Sequence, residues 1–136
     1  MSQRLSIASC VSAIPLLILV VEDEPLLRQL AVDYLEDSGF AVLEAATVRE
    51  AIDVIQAATS KIDLVFSDIQ MPGGLDGCDL ARWVWANRPG LPVILASGRV
   101  LDDDLPDDLC RLAPIERKPY RPEPLLERIR ATVRAA

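Results

Sequence analysis

Three short runs in this chain are mostly apolar and do not alternate: Leu16-Leu17-Ile18-Leu19-Val20-Val21, Asp63-Leu64-Val65-Phe66-Ser67 and Pro92-Val93-Ile94-Leu95-Ala96. A strand facing water on one side alternates apolar and polar residues, so such runs predict strands covered on both faces. Parallel strands with helices packed above and below are covered in that way. Helical patterns fall between the runs. Pro25 opens the first, where a missing N–H costs nothing, with Leu27, Leu30, Ala31, Tyr34 and Leu35 as its apolar stripe and Ser38-Gly39 as its stop. Phe40 to Glu44 reads as a second strand. Thr47 is a candidate N-cap with Glu50 three residues on, and its helix carries Val48, Ala51, Ile52, Ile55 and Ala58 on one side. A third helix is expected over Gly77 to Asn87, with Leu80, Ala81 and Val84 inward. Trp83 and Trp85 lie roughly 200° apart at 3.6 residues per turn, and read as amphipathic rings lying over the surface, with a partner-binding patch as the alternative. Ile115 to Lys118 is a weak fifth strand. The last helix starts near Pro122, with Leu125, Leu126, Ile129 and Val133 inward. Between residues 100 and 113, five aspartates and a mid-stretch proline leave only a short or broken helix.

The pattern is β-α repeated five times with short connections. Right-handed crossovers make it an α/β domain with a doubly wound, five-stranded parallel sheet. At 136 residues the chain is one domain, expected over residues 16–136, behind a loosely ordered extension at 1–15.

Composition narrows the function classes. A net charge of -7 argues against non-specific binding to nucleic acid or to anionic membranes. No apolar run reaches the ~18 residues of a membrane span. A signal-peptide reading of Arg4 and the Leu16–Val21 run is not the expectation, because no small-residue cleavage site follows and the run lands on Glu22-Asp23-Glu24. Cys10, Cys78 and Cys110 have neither metal nor disulfide spacing, so a reducing cytoplasm is the expected compartment. The chain has no histidine, hence no imidazole base, no histidine metal ligand and no phosphohistidine of its own.

In a parallel sheet all strand carboxyl ends lie along one edge, where open α/β sheets keep their chemistry. The first strand delivers Glu22 and Asp23 to that edge, the third Asp68, the fourth Ser97 and the fifth Lys118. Two carboxylates about 4 Å apart repel by roughly 4 kcal/mol at an effective dielectric of about 20, so three in one cleft require a cation. Oxygen ligands without His or Cys select a hard divalent ion, and Mg²⁺ fits one or two carboxylates with water and phosphate. A carboxylate beside such an ion can attack a phosphoryl group. Lys118 and the Ser97 hydroxyl would hold the phosphoryl oxygens.

The ordered set V-V-E-D-E (Val20 to Glu24), D-I-Q-M-P (Asp68 to Pro72), D-G (Asp76-Gly77), A-S-G (Ala96 to Gly98) and K-P-Y (Lys118 to Tyr120) resembles the two-component response-regulator receiver domain. The resemblance covers about Leu16 to Ala136. It implies a flavodoxin-like fold with sheet order 2-1-3-4-5, and an Asp68 that accepts a phosphoryl group from the phosphohistidine of a histidine kinase or phosphotransfer protein. It further implies Mg²⁺ held by Glu22, Asp23, Asp68 and the Gln70 carbonyl, with Ser97 swinging toward the phosphoaspartate and Lys118 bonding to it. Apart from its own phosphorylation and dephosphorylation, no enzymatic activity is expected.

Three features depart from the family pattern. Ile115 stands where most receivers carry an aromatic residue, the segment after the fourth strand is proline-broken and acidic, and Gly73-Gly74 lengthens the turn after Asp68. Two other functions remain in view: a phosphate-independent pseudo-receiver, and an aspartate-nucleophile phosphatase. The phosphatase would need Asp-x-Asp after the first strand, where this chain has Glu22-Asp23-Glu24. A stand-alone receiver acting through protein contact is the expectation. A two-fold dimer through residues 101–134 would pair the acidic stretch Asp102 to Asp108 with the basic stretch Arg117 to Arg134.

Overall fold

In the computed structural model, residues 14–71, 74–97, 115–117 and 122–135 are described. The elements run β1 (Leu17–Val21), α1 (Pro25–Asp37), β2 (Ala41–Ala45), α2 (Val48–Ala57), β3 (Leu64–Asp68), α3 (Gly77–Asn87), β4 (Val93–Ser97), β5 (Ile115–Arg117) and α4 (Pro122–Ala135). The strands form one sheet in the order β2-β1-β3-β4-β5, every neighbouring pair parallel. The expected doubly wound α/β architecture is therefore observed.

Most strands sit about one residue later than the apolar runs suggest, and the backbone explains two of these shifts. Pro92 has no N–H to give to a ladder; it only accepts, from the Val65 amide at 3.0 Å, so β4 begins at Val93. Asp63 sits below β3, where its amide donates to the Leu17 carbonyl and its Oδ2 accepts from the Leu17 amide, both at 2.8 Å. The shift matters at the other end, where β3 finishes on Asp68 itself.

Side chains alternate between the two faces of the sheet, and both faces are packed. Leu19, Val21, Val65, Val93 and Leu95 belong to one cluster with Ala51 and Ile55 of α2 and Leu80, Ala81 and Val84 of α3. Ile18, Val20, Leu64, Phe66, Ile94 and Ala96 belong to the other, with Ala31, Val32 and Leu35 of α1 and Leu125 and Ile129 of α4. Continuous apolar strands follow from this double coverage, because both side-chain directions lead into protein. Trp83 and Trp85 are half-buried against the first cluster, and the Arg88 guanidinium lies 6.0 Å from the Trp83 ring centre.

Helix caps follow the sequence signals with one variation. Gly39 takes φ +97° after α1, a left-handed conformation that favours glycine. Thr47 Oγ1 accepts from the Glu50 amide at 3.0 Å, but the Glu50 carboxylate reaches the Ala46 amide at 2.6 Å instead of that of Thr47. The reciprocal bond is thus displaced one residue outward.

The buried face of α1 differs from the expected stripe. Leu27 and Leu30 are 44% and 57% exposed, while Val32 is buried with Ala31 and Leu35. Relative to Leu27, Leu30, Ala31, Tyr34 and Leu35, the inward face is rotated by about 80°, which brings Arg28 inward. A sequence stripe counts apolar residues only, and Arg28 occupies its inward position because two oxygens await its guanidinium there. This assignment predicts that Leu35→Ala costs about 2–5 kcal/mol, whereas Leu30→Ser stays within about 0.5 kcal/mol of the parent. Urea unfolding of the two variants checks it; a large loss for Leu30→Ser would restore the original stripe.

Candidate functional site

Parallel register brings the acidic residues together. Val21, the last residue of β1, pairs with Ser67 of β3, and Asp68 pairs with Ala96 of β4. Glu22 and Asp23 therefore leave β1 beside the end of β3. Glu22, Asp23 and Asp68 each offer a carboxylate oxygen, and these ligand atoms all lie within 4.8 Å of one another. Glu22 is 7% and Asp68 8% exposed, and Asp23 is half-buried. Val20, Val21, Ala31, Phe66 and Ala96 line a small space of about 10 Å³ together with Glu22 and Asp68, so the site has an apolar floor. Apolar surroundings strengthen the repulsion among ionised carboxylates. The donor set is oxygen only, which fits a hard divalent cation such as Mg²⁺.

The backbone around Asp68 is braced from several sides. Its carbonyl oxygen accepts the buried Ser67 hydroxyl at 2.9 Å. The next amide, of Ile69, donates to the Ala96 carbonyl at 2.9 Å, and the Ile69 carbonyl accepts from the Gly77 amide at 2.8 Å. The start of α3 is thereby stitched to the end of β3. Asp76 and Asp79 close a reciprocal capping box at that helix start, with bonds of 3.0 and 2.9 Å. Only glycine fits at position 77. A Cβ there would stand 2.3 Å from the Asp68 carbonyl oxygen and 2.9 Å from the Ile69 Cα, both backbone atoms.

Of the residues singled out from sequence, Glu22, Asp23 and Asp68 form this cluster. Ser97 ends β4, one residue beyond the Ala96 that pairs with Asp68. Gln70 is half-buried in the loop two residues after Asp68. Lys118 lies outside the described residues, as does most of the 101–134 segment invoked for a dimer. Ile115 opens β5.

Sequence reasoning missed Arg28. Its Nη1 donates to the Glu22 carbonyl at 2.8 Å, and its Nε lies 3.2 Å from Glu44 Oε1. The available signal was that the apolar stripe of α1 fits a second way, with position 28 inward, but a charged residue there invites the first fit.

Comparison with known proteins places these features in context. A family model described as response regulator receiver domain matches residues 18–130. The regulatory protein VanR of Enterococcus faecium is 32% identical over 86% of this chain and 49% of its own length. The sensor kinase CckA of Brucella abortus is 35% identical over 62% of this chain and 9% of its own. The chain thus spans about half, or much less, of these curated relatives. Among solved structures, a receiver domain protein from Clostridium thermocellum superimposes with a TM-score of 0.81 at 28% identity, covering 88% of this chain and 95% of that one. The response regulator TrrA of Thermotoga maritima, solved in complex with Mg²⁺ and BeF, gives 0.75 at 26% identity, over 86% of this chain and 98% of that one.

The close approach at position 77 yields a test. In an ordinary helix Gly→Ala is favourable by about 1 kcal/mol. Here Gly77→Ala is expected to destabilise by about 1–3 kcal/mol, and to shift the backbone NMR resonances of Asp68 and Ile69. Unchanged or increased stability in urea would refute the close contact.

Proposed function

Because the chain belongs to the response regulator receiver domain family, we propose that it is the phosphoacceptor of a two-component system, with Asp68 as the residue phosphorylated. The observation that carries this is the cluster of Glu22, Asp23 and Asp68 at the carboxyl edge of the sheet, Asp68 at the end of its central strand. Glu22, Asp23, Asp68 and the Gln70 carbonyl would hold Mg²⁺. When bound, that ion offsets negative charge gathered on the phosphoryl oxygens.

The chain's own residues do the rest. An Asp68 carboxylate oxygen attacks the phosphorus of a phosphohistidine; the new O–P bond forms as the P–N bond breaks, and the imidazole leaves with the electron pair. The hydrogen bonds around the Asp68 and Ile69 backbone hold the nucleophile in place during the transfer. The Ser97 hydroxyl and the Lys118 ammonium bind oxygens of the transferred group. The product adds roughly -1.5 to -2 charge and new acceptor oxygens, which bias the segment after β4 and are read by protein contact. Apart from this self-modification and its reversal by water, the protein is not an enzyme.

With no histidine in the chain, the phosphohistidine belongs to a histidine kinase or a phosphotransfer protein in the same cytoplasm. A solved relative, 32% identical to this chain, is the receiver domain of the hybrid histidine kinase CckA. Leu26, Leu27 and Leu30, 66%, 44% and 57% exposed, form an apolar patch on α1 immediately after Asp23. The phosphohistidine-bearing partner is the occupant that suits this patch, since its imidazole must come within bonding distance of Asp68, and Asp23, three residues before Leu26, is a neighbour of that carboxylate. Among the described residues, no helix is long and apolar enough to cross a membrane.

The deciding experiment is intact-protein mass spectrometry after incubation with acetyl phosphate, with Mg²⁺ or with chelator. A single phosphate adduct is expected with Mg²⁺, none with chelator, and none in Asp68→Asn. No adduct in the parent would favour a phosphate-independent interaction module. Continuous turnover of phosphate esters would favour a phosphatase. Mg²⁺ at a hundredfold excess over its Kd should also raise the unfolding free energy by about 2.7 kcal/mol; a melting temperature unmoved by Mg²⁺ would count against the metal site.

A further inference from the structure

Glu22 and Asp23 lie in the three-residue link between Val21, the end of β1, and Pro25, the start of α1. A link this short has few backbone torsions, yet rotation of the peptide joining Glu22 to Asp23 would swing the Asp23 carboxylate relative to Asp68. Residue 22 is held at both of its ends, and of the two bonds only the one to its carbonyl falls on that peptide. The Glu22 amide donates to the Ala45 carbonyl at the end of β2, at 3.1 Å. The Glu22 carbonyl accepts from Arg28 Nη1 at 2.8 Å. The guanidinium is in turn fixed by Glu44, the residue before Ala45, at 3.2 Å. Arg28 comes from the first turns of α1, and its own amide donates to the Glu24 carbonyl at 2.9 Å. The arginine side chain is 21% exposed, against 45% for Glu44, so this is a partly covered bracket anchored on an edge strand.

We infer that Arg28 is a positioning residue for the acidic site: it fixes the plane of the Glu22–Asp23 peptide, and Glu44 holds its guanidinium in the orientation that does so. The inference rests on the divalent-cation reading of the cluster given above. Arginine suits the role because its planar fork presents donors in fixed directions to two acceptors at once, whereas a lysine ammonium is a single point of charge on a flexible stem.

Positioning and plain electrostatics predict opposite signs. A positive charge near three carboxylates opposes a divalent cation, so if Arg28 acted by its field alone, removing it would tighten Mg²⁺ binding. If it orders the link, removing it weakens Mg²⁺ binding, because the unliganded carboxylates must then be gathered at the moment of binding.

The test is Mg²⁺ affinity by calorimetric titration in the parent, Arg28→Met and Arg28→Lys, together with amide NMR of residues 22–24 in metal-free protein. We expect Kd to rise three- to tenfold in Arg28→Met and about two- to threefold in Arg28→Lys. The Asp23 amide resonance should shift in both, since it shares the peptide whose carbonyl Arg28 holds. Arg28→Lys conserves charge, so it carries the test by itself should Arg28→Met fail to fold. Parent-like or tighter Mg²⁺ binding in folded variants, with an unchanged Asp23 amide, would overturn the positioning role while leaving the metal site intact. Absence of Mg²⁺ binding in the parent would overturn the metal reading and this inference with it.

Discussion

β3 is hydrogen-bonded to a parallel strand on each side and covered by helices on both faces, so the one place where it can present a carboxylate to partners from other strands is its carboxyl end, Asp68. Parallel pairing then forces the ends of β1 and β4 to the same edge. The acidic cluster is a product of this register, which sets residues 22 and 23 beside residue 68 across a sequence separation of more than forty positions. A carboxylate at the end of an exposed, antiparallel strand would have no such neighbours. The price of the arrangement is electrostatic, since carboxylates gathered over an apolar floor repel more strongly than they would in water.

Rigidity at Asp68 comes from hydrogen bonds and from a missing side chain. The Ser67 hydroxyl, the Ala96 carbonyl and the Gly77 amide hold the chain as it leaves β3. The absent Cβ at Gly77 lets the start of α3 press against the Asp68 carbonyl. The Asp76–Asp79 capping box fixes that helix start from the other side. A residue that must meet an incoming phosphoryl group benefits from such a scaffold, because orientation supplied in advance need not be found during reaction.

Much of this was legible in the sequence. The unalternating strands follow directly from burial on two faces, and alternation with helical patterns leaves few topologies open. The convergence of Glu22, Asp23 and Asp68 follows from strand ends alone. What escaped has physical causes. The inward face of α1 was misassigned because a periodicity argument treats arginine as outward-facing, whereas Arg28 finds the Glu22 carbonyl and the Glu44 carboxylate and turns in. Strand ends were misplaced by one residue because hydrogen bonding sets them: Pro92 cannot donate, and Asp68 still pairs with Ala96 although its side chain is polar. The need for glycine at 77 could not be read from a helix pattern, since it arises from a contact with Asp68 and Ile69, nine and eight positions earlier.

Among the described residues the two apolar clusters share none, although they meet back to back through the same strands. Substitutions on opposite faces, separated by the thickness of the sheet, should therefore combine additively. In evolutionary terms, each interior can drift in volume and composition while the other is held constant. Only the strand backbones have to satisfy both. A lineage can then remodel the surface around α1 and α4, or that around α2 and α3, with little epistasis between the two, and the edge where the strands end keeps its geometry throughout.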